Sequence, residues 1–217
     1  MDFQAARTRM VDNQVRTTDV TDYEILKAML SVPREEFVPA NRRELAYIDE
    51  DIPVAPGRYL MEPSPFAKLL QLADIRPQDH VLDVGCATGY STAVIGRMAR
   101  SVVGLESDPA LAAAAASTLD RLGIGNCTVV EGPLVDGCAQ HAPYDVIFIE
   151  GAVQRLPDAF FEQIKIGGRI VVVEGVGNAA LARLFLKEAH GVVSDRIAFN
   201  CCVKALPGFG REQSFVF

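Results

Sequence analysis

Val81-Leu82-Asp83-Val84-Gly85-Cys86-Ala87-Thr88-Gly89-Tyr90 passes from a β-branched apolar run into two spaced glycines, then into residues that suit the start of a helix. Glycine lets a backbone turn tightly and approach a ligand, and a helix start offers N–H groups with no partner in the helix. The next apolar run, Ser101–Glu106, closes on an acid 21 residues beyond Gly85. An acid at that place accepts hydrogen bonds from both hydroxyls of a ribose. The two features together predict a nucleoside-containing cofactor at the carboxyl edge of a parallel sheet. The plainer alternative is a glycine pair that only shapes a strand–helix turn.

The spacing discriminates between nucleosides. A dinucleotide loop, G-x-G-x-x-G, needs glycine at 85, 87 and 90, but positions 87 and 90 hold Ala87 and Tyr90. The pattern acid-x-G-x-G-x-G of methyltransferases is met by Asp83, Gly85 and Gly89 and departs only at Ala87. S-adenosylmethionine has no pyrophosphate but carries an ammonium group that Asp83 would attract. Asp83, Gly85, Cys86, Ala87, Gly89, Tyr90 and Glu106 are therefore the expected cofactor-binding residues. Glu131-Gly132 and Glu150-Gly151 end later apolar runs and are added as candidates, Glu131 and Gly132 toward adenine and Glu150 toward the methyl donor. For both acids a solvated strand end is the competing reading. A Tyr-x-x-x-Lys spacing at Tyr23 and Lys27 precedes the glycine loop, where a nicotinamide-dependent proton relay would follow it.

Outward from the loop, the second part of the chain alternates between two periods. His80–Gly85, Ser101–Glu106, Cys127–Glu131, Tyr144–Glu150 and Arg169–Glu174 are near-continuous apolar runs, as suits strands buried on both faces. Between them, Asp108-Pro109 marks a helix start, with Leu111, Ala115, Leu119 and Leu122 on one face. A short helix is expected after Leu156-Pro157 and a longer one over Asn178–His190. Gly191–Phe199 and Gln213–Phe217 are expected to pair antiparallel at one edge. The fold class is α/β, a doubly wound, mostly parallel seven-stranded sheet with an antiparallel edge, preceded by a helical extension. Two regions are expected: residues 1–78, with helices over Asp22–Val32 and after Ser64-Pro65 flanking the loop Pro33–Glu62, and residues 79–217 as the cofactor-binding domain.

Composition removes several function classes. The 217 residues are 49% hydrophobic, too apolar for a disordered chain, yet no apolar run approaches the ~20 residues that cross a bilayer. The start, MDFQAARTRMVDNQVRTTD, has no apolar core of a secretory signal, so a cytoplasmic, reduced setting is expected. A net charge of −7 argues against nucleic acid as partner. The five cysteines form no C-x-x-C pair and the three histidines lack ligand spacing, so no metal site is expected.

Arg9-Met10-Val11, Gln14-Val15, the segment Val32-Pro33-Arg34-Glu35-Glu36-Phe37-Val38-Pro39 and Ala46-Tyr47-Ile48-Asp49 add a more specific signal. In this order, followed by the glycine loop, Tyr144-Asp145 and Ile166-Gly167-Gly168-Arg169, the chain resembles the protein-L-isoaspartate O-methyltransferase family over nearly its whole length. The resemblance implies a class I, Rossmann-like methyltransferase that uses S-adenosylmethionine to methylate a carboxylate, in that family the isoaspartyl residue of damaged proteins. A carboxylate is already anionic at neutral pH and needs alignment rather than a strong base.

Two departures from the family pattern stand out. Where members carry G-Q-T-I-S-x-P, with threonine and serine at the active site, this chain reads Gly57-Arg58-Tyr59-Leu60-Met61-Glu62-Pro63. Tyr59 and Met61 replace the two hydroxyl residues, and a methionine cannot donate a hydrogen bond. Where members carry G-D-G, this chain reads Gly132-Pro133-Leu134, which leaves Glu131 as the substitute. The resemblance thus implies Arg58, Tyr59 and Met61 as the active-site positions. Arg58 or Tyr59 is expected to contact an anionic acceptor, an isoaspartyl peptide or a small anionic molecule, the alternative for Arg58 being an exposed loop position. A catalytically impaired relative that binds the cofactor or a partner protein is the second reading of these changes.

Overall fold

The computed structural model describes residues 1–210. The chain opens with helix α1 (Phe3–Met10), capped by the Asp2 carboxylate on Ala5 N, and α2 (Tyr23–Ser31), capped by Asp22 on Glu24 N and Ile25 N. Tight turns over Arg34–Phe37 and Ala40–Leu45 lead into a hairpin of β1 (Ile52–Ala55) and β2 (Arg58–Leu60). The stretch expected to be mostly loop thus holds two strands, joined through Gly57 at φ 69°. Helix α3 (Pro63–Ala73) follows, with proline in its first turn.

The sheet comprises β3 (His80–Val84), β4 (Ser101–Glu106), β5 (Cys127–Glu131), β6 (Tyr144–Val153), β7 (Ile164–Glu174), β8 (Leu181–Lys187) and β9 (Val193–Asn200). Helices α4 (Tyr90–Gly96), α5 (Pro109–Arg121) and α6 (Ala159–Gln163) make the crossovers after β3, β4 and β6. Among the described residues the order is β5-β4-β3-β6-β7-β8-β9, parallel up to β7 and antiparallel at β8 and β9. The chain therefore winds outward from β3 in two directions. In such sheets the crevice outside the carboxyl ends of the two strands at the reversal, here β3 and β6, is where ligands bind.

The fold class read from the sequence is the one observed, with one correction. Asn178–His190, expected as a helix, contains strand β8. LARLFLK also reads with period two: Ala182 and Leu184 are buried on one face, and Phe185 packs on the other. Ladders to β7 and β9 on both sides override the helical preference of leucine, alanine and lysine. The expected antiparallel edge is formed by β8 and β9, and Gln213–Phe217 lies outside the described residues.

Apolar side chains divide by strand alternation into two cores. Val81, Val102, Val146, Phe148, Val171 and Val173 face the amino-terminal helices, whereas Leu82, Val84, Leu105, Ile147, Ile149 and Val172 face the opposite layer. The first core takes in Met10, Ile25, Met29, Phe66 and Leu70, so the amino-terminal part shares its interior with the sheet. Arg169 in the middle of β7 reinforces this joint: its guanidinium donates to the carbonyls of Ala73 and Asp74 at the end of α3 and meets Asp79 Oδ2 at 2.6 Å. Both ends of the pair are nearly buried. Arg169→Ala leaves the Asp79 carboxylate without its counter-charge and should destabilise the fold by about 3–5 kcal/mol, read as a lower urea midpoint.

Candidate functional site

The turn after β3 is built on left-handed residues. Gly85 (φ 82°), Ala87 (φ 49°) and Gly89 (φ 92°) alternate with right-handed or extended neighbours, and Gly85 N and Cys86 N both donate to Leu105 O. A left-handed conformation costs an alanine about 1–2 kcal/mol. At Ala87 that strain is offset by a charge-assisted bond, because its N–H donates to Glu106 Oε2 at 2.8 Å.

Glu106, expected to await a ribose, is instead saturated by the protein. One carboxylate oxygen accepts from Ser107 N at 2.8 Å and Asp108 N at 3.0 Å. The other accepts from Ala87 N and from Arg58 Nη2, the latter at 2.5 Å. The same Arg58 nitrogen donates to Gly85 O at 2.8 Å. Glu106 is fully buried and Arg58 5% exposed. Arg58 was expected either to face an anionic acceptor or to lie exposed in a loop, and the structure places it in neither position. Strand β2 carries it inward, where the buried carboxylate is the strongest available partner.

Asp83 is also fully buried, on the β3 face that packs on α4. Its Oδ2 accepts from Ser91 Oγ at 2.7 Å and Thr92 Oγ1 at 2.6 Å, while Oδ1 has no partner among the described residues. Burial pushes its carboxyl up from 3.8 to about 6; the two hydroxyls work against the shift, and the Glu106 charge adds to it.

Around the β3–β6 crevice the remaining candidates separate. Glu150 is 8% exposed, not a solvated strand end, and its Oε2 has no partner among the described residues. Burial, reinforced by the Asp83 charge, raises its carboxyl well above the usual range. Tyr59 and Met61 lie nearby; Met61 is buried, and its carbonyl accepts from Arg34 Nη2 at 2.7 Å. Tyr90 is buried under the Arg34 guanidinium, 4.8 Å from its ring centre. Glu131 is exposed at the end of β5, and Gly132 N donates to Glu106 O at 3.0 Å. The structure thus gathers Arg58, Tyr59, Met61, Gly85, Ala87, Glu106 and Glu150 about one crevice.

Sequence reading missed the segment that fills that crevice. After β9 the chain returns to β6: Ala152 N donates to Lys204 O and Leu206 N to Ala152 O, each at 2.9 Å. An added Cβ at Gly85 or at Gly151 would lie 2.7 Å from the Leu206 side chain. Lys204 Nζ stands over the Tyr59 ring, 5.5 Å from its centre, and 4.0 Å from Asp51 Oδ2. The void left between Arg58, Tyr59, Met61, Glu150 and Leu206 is about 10 Å³. That is the space of a single water, whereas a small-molecule site needs roughly 300 Å³ or more. In kind, the glycine turn and the acid at the end of β4 suit a nucleoside cofactor, whereas the void beside Tyr59 and Glu150 holds no more than a water. A wider cavity of about 690 Å³ lies toward the amino end of β7, between Lys68, Arg76, Arg169 and Arg196, away from these residues.

The sequence profile of the protein-L-isoaspartate(D-aspartate) O-methyltransferase family matches residues 5–205. The chain belongs to this family. A protein-L-isoaspartate O-methyltransferase of Koribacter versatilis is 40% identical over 97% of this chain and 93% of its own length. Another, from Anaeromyxobacter, is 36% identical over 90% of this chain and 81% of its own length. A solved protein-L-isoaspartate O-methyltransferase superposes with a TM-score of 0.81 at 28% identity, covering 93% of this chain and 66% of that longer one. A Plasmodium falciparum structure in complex with S-adenosyl-L-homocysteine shares the fold, with a TM-score of 0.78 at 19% identity. Family and fold are those expected from the sequence.

The Asp83 carboxyl supplies a test of the buried cluster. A folded-state pKa raised to about 6 from 3.8 means the folded chain keeps this proton longer than the unfolded chain. Its contribution to stability is therefore lost as pH rises from about 4 to about 6 and is constant outside that window. Asp83→Asn removes this fall. Urea midpoints of wild type and variant, measured across that window, should change relative to each other in this direction; parallel curves would show that Asp83 titrates as an ordinary carboxyl.

Proposed function

We propose that the protein is an S-adenosylmethionine-dependent methyltransferase acting on a carboxylate, with the isoaspartyl residue of damaged proteins as the first acceptor to test and a small anionic molecule as the alternative. Family membership over residues 5–205 carries the reading. The arrangement at the carboxyl ends of β3 and β4 supports it: the Gly85–Gly89 turn would line the nucleoside, and Glu106 would take the ribose hydroxyls. When bound, S-adenosylmethionine supplies an electrophilic methyl group on a sulfonium.

The protein's own work is alignment and exclusion of water. Asp83 acts through Ser91 and Thr92, fixing the start of α4 beneath the turn. The amino-terminal extension, residues 1–78 in this reading, packs on the cofactor-binding domain and closes over the site through Thr88 Oγ1, which donates to Phe37 O at 2.6 Å, and through Arg34 on Met61 O. With no hydroxyl at Met61, an anionic acceptor is left with the Tyr59 hydroxyl, the Lys204 ammonium and, where protonated, the Glu150 carboxyl. Cytoplasmic damaged proteins are consistent acceptors, and no described helix is long and apolar enough to cross a membrane. A catalytically impaired relative is the second reading, favoured by the Arg58–Glu106 pair and the absent hydroxyls.

Purified protein with labelled S-adenosylmethionine and an isoaspartyl peptide should yield a base-labile methyl ester. Tyr59→Phe should raise the peptide KM about tenfold or more, the loss of one hydrogen bond to a charged group, with the dissociation constant of S-adenosyl-L-homocysteine unchanged. Tight binding of S-adenosyl-L-homocysteine without any transfer would select the impaired relative. Binding of NAD in its place would remove both readings.

A further inference from the structure

We propose that Arg58 and the segment Lys204–Leu206 form an internal plug that occupies the place of the nucleoside cofactor, so that binding requires the plug to leave. The inference rests on the cofactor reading above and concerns what stands in the cofactor's way.

Three contacts make the plug. Arg58 Nη2 engages Glu106 Oε2 and Gly85 O together, which takes the acid that a ribose would face. The Leu206 side chain lies against Gly85 and Gly151, the two glycines at the mouth of the β3–β6 crevice. Two backbone hydrogen bonds to Ala152 continue β6 into the segment as a short parallel bridge. Flanking anchors hold it: Val203 is buried in the first core, and Phe209 stacks on Phe160 with ring centres 6.3 Å apart. Lys204 adds its ammonium over Tyr59 and beside Asp51, which covers the acceptor side as well.

The chemistry of the plug is reversible. The Leu206 side chain has only apolar contacts to offer, and Arg58 Nε has no partner among the described residues, so the guanidinium is held by one nitrogen rather than by a two-pronged clamp. Glu106 keeps three backbone donors when Arg58 departs. The acid therefore stays oriented for a ribose after the plug opens. A ligand that binds only the open state has its apparent affinity reduced by the fraction of molecules open.

Titration calorimetry with S-adenosyl-L-homocysteine on wild type, Leu206→Ala and Arg58→Gln, together with hydrogen exchange of wild type, tests the plug. Each variant should bind about tenfold tighter or more than wild type, because it raises the open fraction. In wild type, saturating S-adenosyl-L-homocysteine should remove the exchange protection of the Ala152 and Leu206 amides. The exchange measurement stands even where Arg58→Gln, which leaves a buried acid without its cation, fails to fold. Equal affinities with unchanged protection would overturn the plug and leave the cofactor reading intact. No binding by any of the three proteins would overturn the cofactor reading, and the plug with it.

Discussion

The buried carboxylate of Glu106 is the point on which the carboxyl edge of the sheet is organised. Four nitrogen donors converge on its two oxygens, from the turn after β3, from the start of the α5 crossover and from β2. A charge taken out of water is tolerable only with such compensation. The demand runs in both directions: the carboxylate holds Ala87 in a left-handed conformation that an alanine would otherwise leave, and it draws Arg58 and the whole β1–β2 hairpin over the sheet.

A second set of buried charges secures the layer above. Arg34 is wholly buried, donates to Ala46 O and Met61 O, and covers the Tyr90 ring. Arg7 meets Glu35 at 3.2 Å, and the Tyr47 hydroxyl donates to the same carboxylate. Arg34, Glu35 and Tyr47 come from the segments that first marked the family, Val32–Pro39 and Ala46–Asp49. Their side chains bind the amino-terminal turns to one another and to the glycine turn, not to a reacting group.

Much of the fold was legible because its signals are local. Apolar runs of β-branched residues marked β3 to β7, and Asp108-Pro109 marked α5. Strand β8 was not, because leucine, alanine and lysine favour helix until two neighbouring strands offer ladders. The turn residues and Glu106 were placed at the crevice by spacing alone. What the sequence hid was long-range. Nothing around Arg58 tells that it enters the interior, since its partner lies 48 positions away. Leu206 follows β9 as an ordinary apolar residue, and only the return to Ala152 gives it a role. Ser91 and Thr92 had a weaker signature, hydroxyl residues in the first turn of the helix that follows an acid on the preceding strand.

Five residues lie between Asn200, the end of β9, and Leu206. That short a connection, itself anchored by buried Cys201 and Val203, keeps the leucine beside the crevice. The leucine is thus a competitor that dilution does not remove and that no change in protein abundance alters. Occupancy of the crevice is then set by the opening equilibrium of the segment together with the affinity and free concentration of whatever displaces it.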